Sequence, residues 1–467
     1  ARTIVERVGT RSDPSMRRSH VPPSRRVPVS VGIDVGTTNT KVVAIDRSGV
    51  VMARAGRPTP RDATDLSVRA ESVLDAVEDM VLEVCGDLLE VQALSVAGVG
   101  EDGVLVDAHL NPLTPALTWY DPRRREIFDA LADHLHGDDT FDVEIDPVCS
   151  MVGWVWARRW EASDAAQGWV SLTDLAAARW ARRPFLSDTL APRTGAWRSR
   201  DRAWAVPRVE ATLGDPALLP PVVAAGEVLG GVACDAFRDA GILAPDAVTV
   251  AGGHDHPIAA WGVRQMLPGA VLDSMGTAEV VVARDGSDAG HRRPHVDIAP
   301  AIRQSGVTLL HVEELARNVQ WASREPEVAD EIRALLVGSR APLEVWEAGY
   351  FVRGARGGVA PAYAKDAPRD PRVRASAVLG ALAVAGRDAV DVVSPGATER
   401  GVVRLAGGWV RSPGWLQVKA AVHGAGVAPI LEPEVTAVGA AMLAAAGRGW
   451  DVDPVQAFGG FTAEMLR

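Results

Sequence analysis

With 467 residues, 47% of them hydrophobic and 23% charged, the chain has the composition of a folded globular protein and the length for two ordinary domains with a cleft between them. No apolar run approaches the roughly 20 residues that a membrane-spanning helix needs, so an integral membrane protein is excluded. The formal net charge of −11 argues against nucleic acid as the main partner, because binding a phosphate backbone asks for a basic surface.

Residues 1–30 are rich in Arg, Pro and Ser, lack the apolar stretch of a secretory signal, and read as a disordered or loosely attached tail. From Val29 the pattern is strand, turn, strand, turn, strand: "VSVGIDVG", "TKVVAID" and "VVMARAG", with Asp46-Arg47-Ser48-Gly49 supplying the second turn. In "SVRAESVLDAVEDMVLEV", Val73, Leu74, Val77, Met80, Val81 and Val84 recur at helical spacing, which predicts an amphipathic helix against that meander. "VQALSVAGVG" is a buried strand running into the loop Gly100-Glu101-Asp102-Gly103, and "VLVD" leaves it. The Trp-, Ala- and Arg-rich middle, about 125–245, has weak strand signals and is expected to be mostly helical.

The opening pattern then restarts. "DAVTVAGGHDHPIAAWG" is a strand into a glycine turn carrying Asp255, and "GAVLDSMGTAEVVVARDG" is strand, Gly276-Thr277 turn, strand. A second strand–Gly–Thr–strand unit so far downstream suggests an internal duplication, two related α/β halves facing each other. "DPRVRASAVLGALAVAGRDAVDVV" predicts a long helix and "GVVRLAGG" a strand into a turn. "SPGWLQVKAAVHG" predicts a helix with Ser412 as N-cap and Pro413 in its first turn, and "EVTAVGAAMLAAAG" a small-residue helix. The fold class is α/β, mixed sheets covered by helices in two halves.

The Gly36-Thr37-Thr38 turn offers successive N–H groups and hydroxyls to phosphate oxygens, and Asp34 just before it could bind hydrated Mg²⁺; an ordinary turn would use the same residues. Gly276-Thr277, downstream of Gly-Gly-x-Asp, favours the phosphate reading, since two such turns across a cleft would hold both ends of a polyphosphate. A third turn, Gly407-Gly408, leads to the helix N-terminus at Ser412, where N–H groups and the dipole favour an anion or the edge of a nucleotide. The cysteines Cys85, Cys149 and Cys234 form no CxxC pair, which suggests neither disulfides nor zinc and fits a reducing cytoplasm.

At these motifs the chain resembles the FGGY carbohydrate kinases, with the actin/hexokinase/Hsp70-like (ribonuclease H-like) fold. The resemblance runs from about Val31 to Arg448 through "GIDVGTTNTK", "GVGEDGVLVD", "WYDPR", "GGHDHPIAAWG", "DSMGTAEVV", "LAGGWVRSPGWLQ" and "EVTAVGAAMLAA", in the family's order. It implies two actin-like domains, 31–247 and 248–467, closing on ATP, Mg²⁺ and a ketose or polyol. By this resemblance Asp255 is the catalytic base; Asp34 the Mg²⁺–ATP carboxylate, with Asp255 also near the metal, directly or through water. Gly36, Thr37 and Thr38 form the first phosphate loop, Gly276 and Thr277 the second, and Gly407, Gly408 and Ser412 the adenosine side. Glu101, Asp102, Trp119, Asp121, Arg123 and His256 would form or support the sugar pocket. His254 and His256 flank Asp255 without a further ligand at metal spacing, and for His256 contact with substrate or orientation of Asp255 is a better reading than a metal site. Lys41 is expected to point away from the phosphates. Gly100 replaces the basic residue of glycerol kinases, "GTA" stands for Gly-Thr-Ser, and "RGARGGVAP" is the nearest equivalent of a Gly-Glu-Arg-x-Pro stretch. A catalytically silent sugar-binding regulator and another actin-fold ATPase or phosphatase stand as alternatives, and a homodimer is left open.

Overall fold

The structure is a computed structural model describing residues 26–62, 64–131, 135, 141–287, 292–354 and 360–459. The expected tail lies outside the described residues up to position 25, as does most of "RGARGGVAP" at 355–359. The last residues assigned to the tail belong to the first sheet instead: Arg26 is buried, donating to the carbonyls of Gly86 and Leu89, and a strand starts at Val27.

Strands β1 (Val27–Val35), β2 (Asn39–Asp46) and β3 (Val51–Pro58) form the antiparallel meander. Helix α1 (Ala70–Cys85) buries the six apolar residues that its spacing singles out, and β4 (Leu89–Gly98) follows parallel to β1. Strands β5 (Val228–Gly231) and β6 (Leu243–His254) complete a six-stranded sheet in the order β5-β6-β4-β1-β2-β3. The expected domain division between 247 and 248 falls inside β6, and the chain leaves the first sheet only at His254. Helix α2 (Asp255–Met266) begins there.

The second sheet repeats the plan. Strands β7 (Val271–Met275), β8 (Ala278–Asp285), β9 (Val296–Pro300) and β10 (Val307–Glu314) precede helix α3 (Pro371–Val393). Strand β11 (Val403–Ala406), helix α4 (Pro413–His423) and strand β12 (Val427–Pro429) follow it. The order is β9-β10-β8-β7-β11-β12, with β7 antiparallel to β8 and parallel to β11 as β1 is to β2 and β4. The duplication read from the two Gly-Thr turns is therefore present in strand order.

Helix α5 (Val435–Gly447) departs from a simple division of the chain, because it lies on the first sheet. Its small residues allow this: Ser30 donates to the Ala441 carbonyl at 2.7 Å, and a Cβ on Gly32 would stand 2.0 Å from the Ala437 oxygen. Helices α2 and α5 and residues of both sheets share one apolar layer between the halves.

The middle region is less helical than expected. Its helices are short, Arg123–Ala130, Ser150–Ala157, Leu172–Ala181, Val206–Thr212 and Asp235–Asp239, and two-residue strands lie among them. Edge-on indoles hold it, Trp154 on Trp169 at 5.5 Å and Trp197 on Trp204 at 4.9 Å, and such packing needs no helical period. Among the described residues no helix is long and apolar enough to cross a membrane.

Candidate active site

Parallel strands β1, β4 and β6 end side by side, with Asp34 and Gly253 both in register with Ala97 of β4. Ligands of open α/β sheets gather at such carboxyl ends. Gly253 makes the exit possible: its φ is +145°, and a Cβ there would lie 2.1 Å from the Thr189 hydroxyl. The next residues are His254 and Asp255, and Asp255 opens α2 with its carboxylate accepting the His256 N–H at 2.7 Å. Burial raises the Asp255 carboxyl above its usual range; His256 opposes this and Glu101 adds to it. His254, with Nε2 3.4 Å from Asp255, is held well below the usual imidazole range by burial, and by Arg193 and His256 next. It is a neutral neighbour of Asp255.

Ser30, Gly32 and Asp34 alternate onto the face of β1 covered by α5, so Asp34 emerges at the N-terminus of that helix. Burial pushes the Asp34 carboxyl up to about 7, Lys41 countering and Asp255 and Glu434 reinforcing. Lys41 does not point away as expected. It stands opposite Asp34 in the β1–β2 register, on the same face, with Nζ 3.5 Å from Asp34 and 3.0 Å from Glu434. Glu434 was not singled out, although it opens the motif "EVTAVGAAMLAA"; nothing in the sequence places it beside residue 34.

In the first turn the Gly36 N–H donates to the Asn39 carbonyl at 3.2 Å, and Thr38 is exposed. Thr37 Oγ1 accepts from Trp119 Nε1 at 2.9 Å, so Trp119 supports this turn, and its N–H is spent there. In the second turn the Gly276 N–H donates to the Ala278 carbonyl at 2.8 Å, while Gly276 and Thr277 are exposed. Gly407, at φ +92° and with no room for a Cβ beside the Met275 oxygen, brings the third turn against the second, where Trp409 Nε1 donates to the Gly276 carbonyl. Gly408 is open around its Cα. Ser412 caps α4 as expected, accepting from the Trp415 N–H, and its hydroxyl donates to the Leu336 carbonyl at 2.5 Å. Its side chain is engaged within the protein.

The residues expected at the sugar pocket divide. Glu101 is within electrostatic reach of Asp255, and Arg193, absent from the sequence reading, is there too. Asp102 instead lines a small cavity with Gly36, Thr37, Thr118 and Tyr120. Burial pushes its carboxyl up to about 7, and Arg124, 3.5 Å away, counters this. Arg124 is itself buried and donates to the carbonyls of Leu117, Thr118, Val148 and Cys149. Asp121 and Arg123 hold each other at 2.7 Å, and a second Arg123 bond goes to the Asp65 carbonyl. Burial would raise the Asp121 carboxyl, but the Arg123 hydrogen bonds bring it below its usual range. Together they anchor the loop after Trp119.

Residues 29–262 match the N-terminal domain of the FGGY family of carbohydrate kinases. The chain is 25% identical over 451 residues to an L-fuculokinase of Salmonella typhi, covering 91% of this chain and 93% of the relative. It is 28% identical over 448 residues to a xylulose kinase of Streptomyces coelicolor, covering 90% and 88%. Among solved structures, a xylulose kinase from Rhodospirillum rubrum superposes with a TM-score of 0.77 at 18% identity, over 93% of this chain and 92% of that one, which shows the shared two-domain fold. The chain belongs to the FGGY family of carbohydrate kinases.

Proposed function

We propose that the protein transfers the γ-phosphoryl group of ATP to a hydroxyl of a ketose or polyol, with Asp255 as general base. The observation that carries this reading is the position of Asp255: at the end of β6 and the start of α2, in electrostatic contact with Asp34 on the phosphate side and Glu101 on the acceptor side. A raised carboxyl is a better proton acceptor than an ordinary one, and neutral His254 adds no cation beside it. Relatives named for fuculose and xylulose support a sugar acceptor.

Asp255 takes the proton of the acceptor hydroxyl as its oxygen attacks the γ-phosphorus. The turns at Gly36–Thr38 and Gly276-Thr277 present N–H groups and hydroxyls to the phosphates, and Gly407-Gly408 flanks the nucleoside. Glu101 and His256 hold the acceptor; Trp119, Asp121, Arg123 and Asp102 support the walls. Lys41, between Asp34 and Glu434, is a cation near the phosphate end. Mg²⁺ suits this site: Asp34 is a buried carboxylate crowded by two others, and Mg²⁺ prefers one or two carboxylates plus phosphates to an all-protein cage. Asp34 would hold it with Asp255 beside it, directly or through water, and when bound it would neutralise phosphate charge. Closure of the halves excludes water, the competing acceptor. Three buried free thiols, Cys85, Cys149 and Cys234, support a reducing cytoplasm as the setting.

The test is ADP release and sugar-phosphate formation over pentuloses, hexuloses, tetritols and pentitols, with Asp255→Asn as control. Wild type should phosphorylate at least one of them, and the variant should lose about 10²–10⁴-fold in kcat. ADP release without any phosphorylated sugar would replace this reading by an ATPase. Sugar binding without turnover would replace it by a regulator.

A further inference from the structure

Arg193 lies in a short turn, Ala191–Thr194, of the first half. Its guanidinium donates twice to Glu101 Oε1, from Nε at 2.8 Å and Nη2 at 2.5 Å, and once from Nη1 to Asp297 Oδ2 at 2.6 Å. Side-chain exposure is 10% for Arg193, 11% for Glu101 and 6% for Asp297, so the three charges meet largely away from water. Gly100 provides the room: a Cβ there would stand 3.1 Å from Arg193 Cγ and from the His254 ring.

Asp297 belongs to the other half, on edge strand β9. It is tied to the first half a second time, since its Oδ1 accepts the Glu144 N–H at 2.8 Å, and next to it the Ile298 N–H donates to the Asp142 carbonyl at 2.6 Å. Arg193 thus joins an acceptor-side carboxylate beside the base to a strand of the opposite sheet. A buried ionic network of this kind is weak evidence for stability, since apolar residues of similar volume often do as well. Position is the better account. Glu101 Oε1 takes both donors, which fixes the carboxylate plane and leaves Oε2 for a sugar hydroxyl.

We propose that Arg193 is a positioning residue: it aims Glu101 at the acceptor and, through Asp297, makes that aim depend on the second sheet being docked. Acceptor recognition and cleft closure are then one event. The proposal rests on the kinase reading for its acceptor, and on geometry alone for the bridge.

The experiment compares full-length wild type with Arg193→Lys, Arg193→Gln, Asp297→Asn and the Arg193→Gln/Asp297→Asn double variant. Kinetics use the panel sugar that wild type phosphorylates best. Arg193→Gln should raise the acceptor KM by about tenfold or more and Asp297→Asn by about threefold, with the ATP KM within about twofold and Arg193→Lys partly restored. Small-angle scattering of the ligand-free proteins should show the same expansion for Arg193→Gln and Asp297→Asn, and no further expansion in the double variant. Parallel changes in acceptor and ATP KM, or an unchanged acceptor KM in Asp297→Asn, overturn the proposal. Should wild type phosphorylate no sugar, the kinase reading fails, and scattering still decides the bridge: wild-type dimensions in every variant that folds overturn it. Arg193→Lys, which keeps the charge, and Asp297→Asn, which keeps the size, carry the test if Arg193→Gln does not fold.

Discussion

The two Gly-Thr turns are built alike, yet the carboxylates beside them face opposite ways. Aligned on Gly36 and Gly276, Asp34 corresponds to Ser274, and Asp273 to Ile33. Successive strand residues point to opposite faces, so a shift of one residue moves a carboxylate to the other side of the sheet. Asp34 faces the layer between the halves and reaches the cleft. Asp273 faces the other side of its sheet, towards α3 and α4, where the fully buried Lys419 Nζ lies 2.8 Å from it and also bonds Glu279. Burial and the neighbouring Asp273 hold the Glu279 carboxyl above its usual range. Gly386, inside α3, is there for space, since a Cβ would stand 1.9 Å from Glu279 Oε1. One buried charge cluster lies at the layer between the halves, and the other holds a strand pair to its helices.

Lys419→Met breaks the Lys419 cluster at full effect. Removing the one cation of a buried group leaves carboxylates uncompensated and should cost about 3–5 kcal/mol in chemical denaturation. The kcat per folded molecule should change by less than about threefold, since the cluster faces away from the layer between the halves. A loss of kcat without loss of stability would show that the two clusters are not separated in this way.

Asp34→Asn should do the reverse, costing about 10²-fold in kcat/KM while stabilising the ligand-free protein. The sign follows from the carboxyl at about 7 in the folded protein against 3.8 unfolded. Between these values the folded state binds the extra proton, so stability falls as pH rises through the window and the cost of ionised Asp34 is complete above pH 7. The variant's advantage in thermal unfolding should therefore be largest near pH 8 and vanish below about pH 4. An advantage independent of pH would mean that Asp34 is not the group being relieved.

What was legible in the sequence is local or strictly patterned. The Ser412 cap, the amphipathic spacing of α1 and the turn glycines each depend on residues within a few positions, and all stand where the pattern puts them. The Asp121–Arg123 pair, two residues apart, could have been read in the same way as a loop anchor. Contacts closing over long separations could not. Lys41 meets Glu434, Arg193 meets Glu101 and Asp297, and α5 crosses to β1, each through chain distances on which periodicity is silent. The middle region follows no pattern for a related reason: its indoles pack edge to face from irregular segments, so apolar content rises without a period.

The finest difference between the two turns lies in their indole supports. Trp119 Nε1 donates to the Thr37 hydroxyl, and Trp409 Nε1 donates to the Gly276 carbonyl, each at 2.9 Å. The first bond is partly buried and fixes a side chain that the kinase reading places on phosphate; the second is exposed and fixes backbone already held by its own turn bond. Replacing either indole by phenyl keeps the ring and removes the donor, a net loss of about 0.5–1.5 kcal/mol for an ordinary hydrogen bond and less where water can take over. Trp119→Phe should therefore raise the ATP KM by about two- to tenfold with a smaller change in the acceptor KM, and Trp409→Phe should fall below about twofold. Equal effects would mean that the turns bear on the phosphates equally. A larger shift in acceptor KM for Trp119→Phe would return that indole to the sugar pocket, where its sequence context first put it.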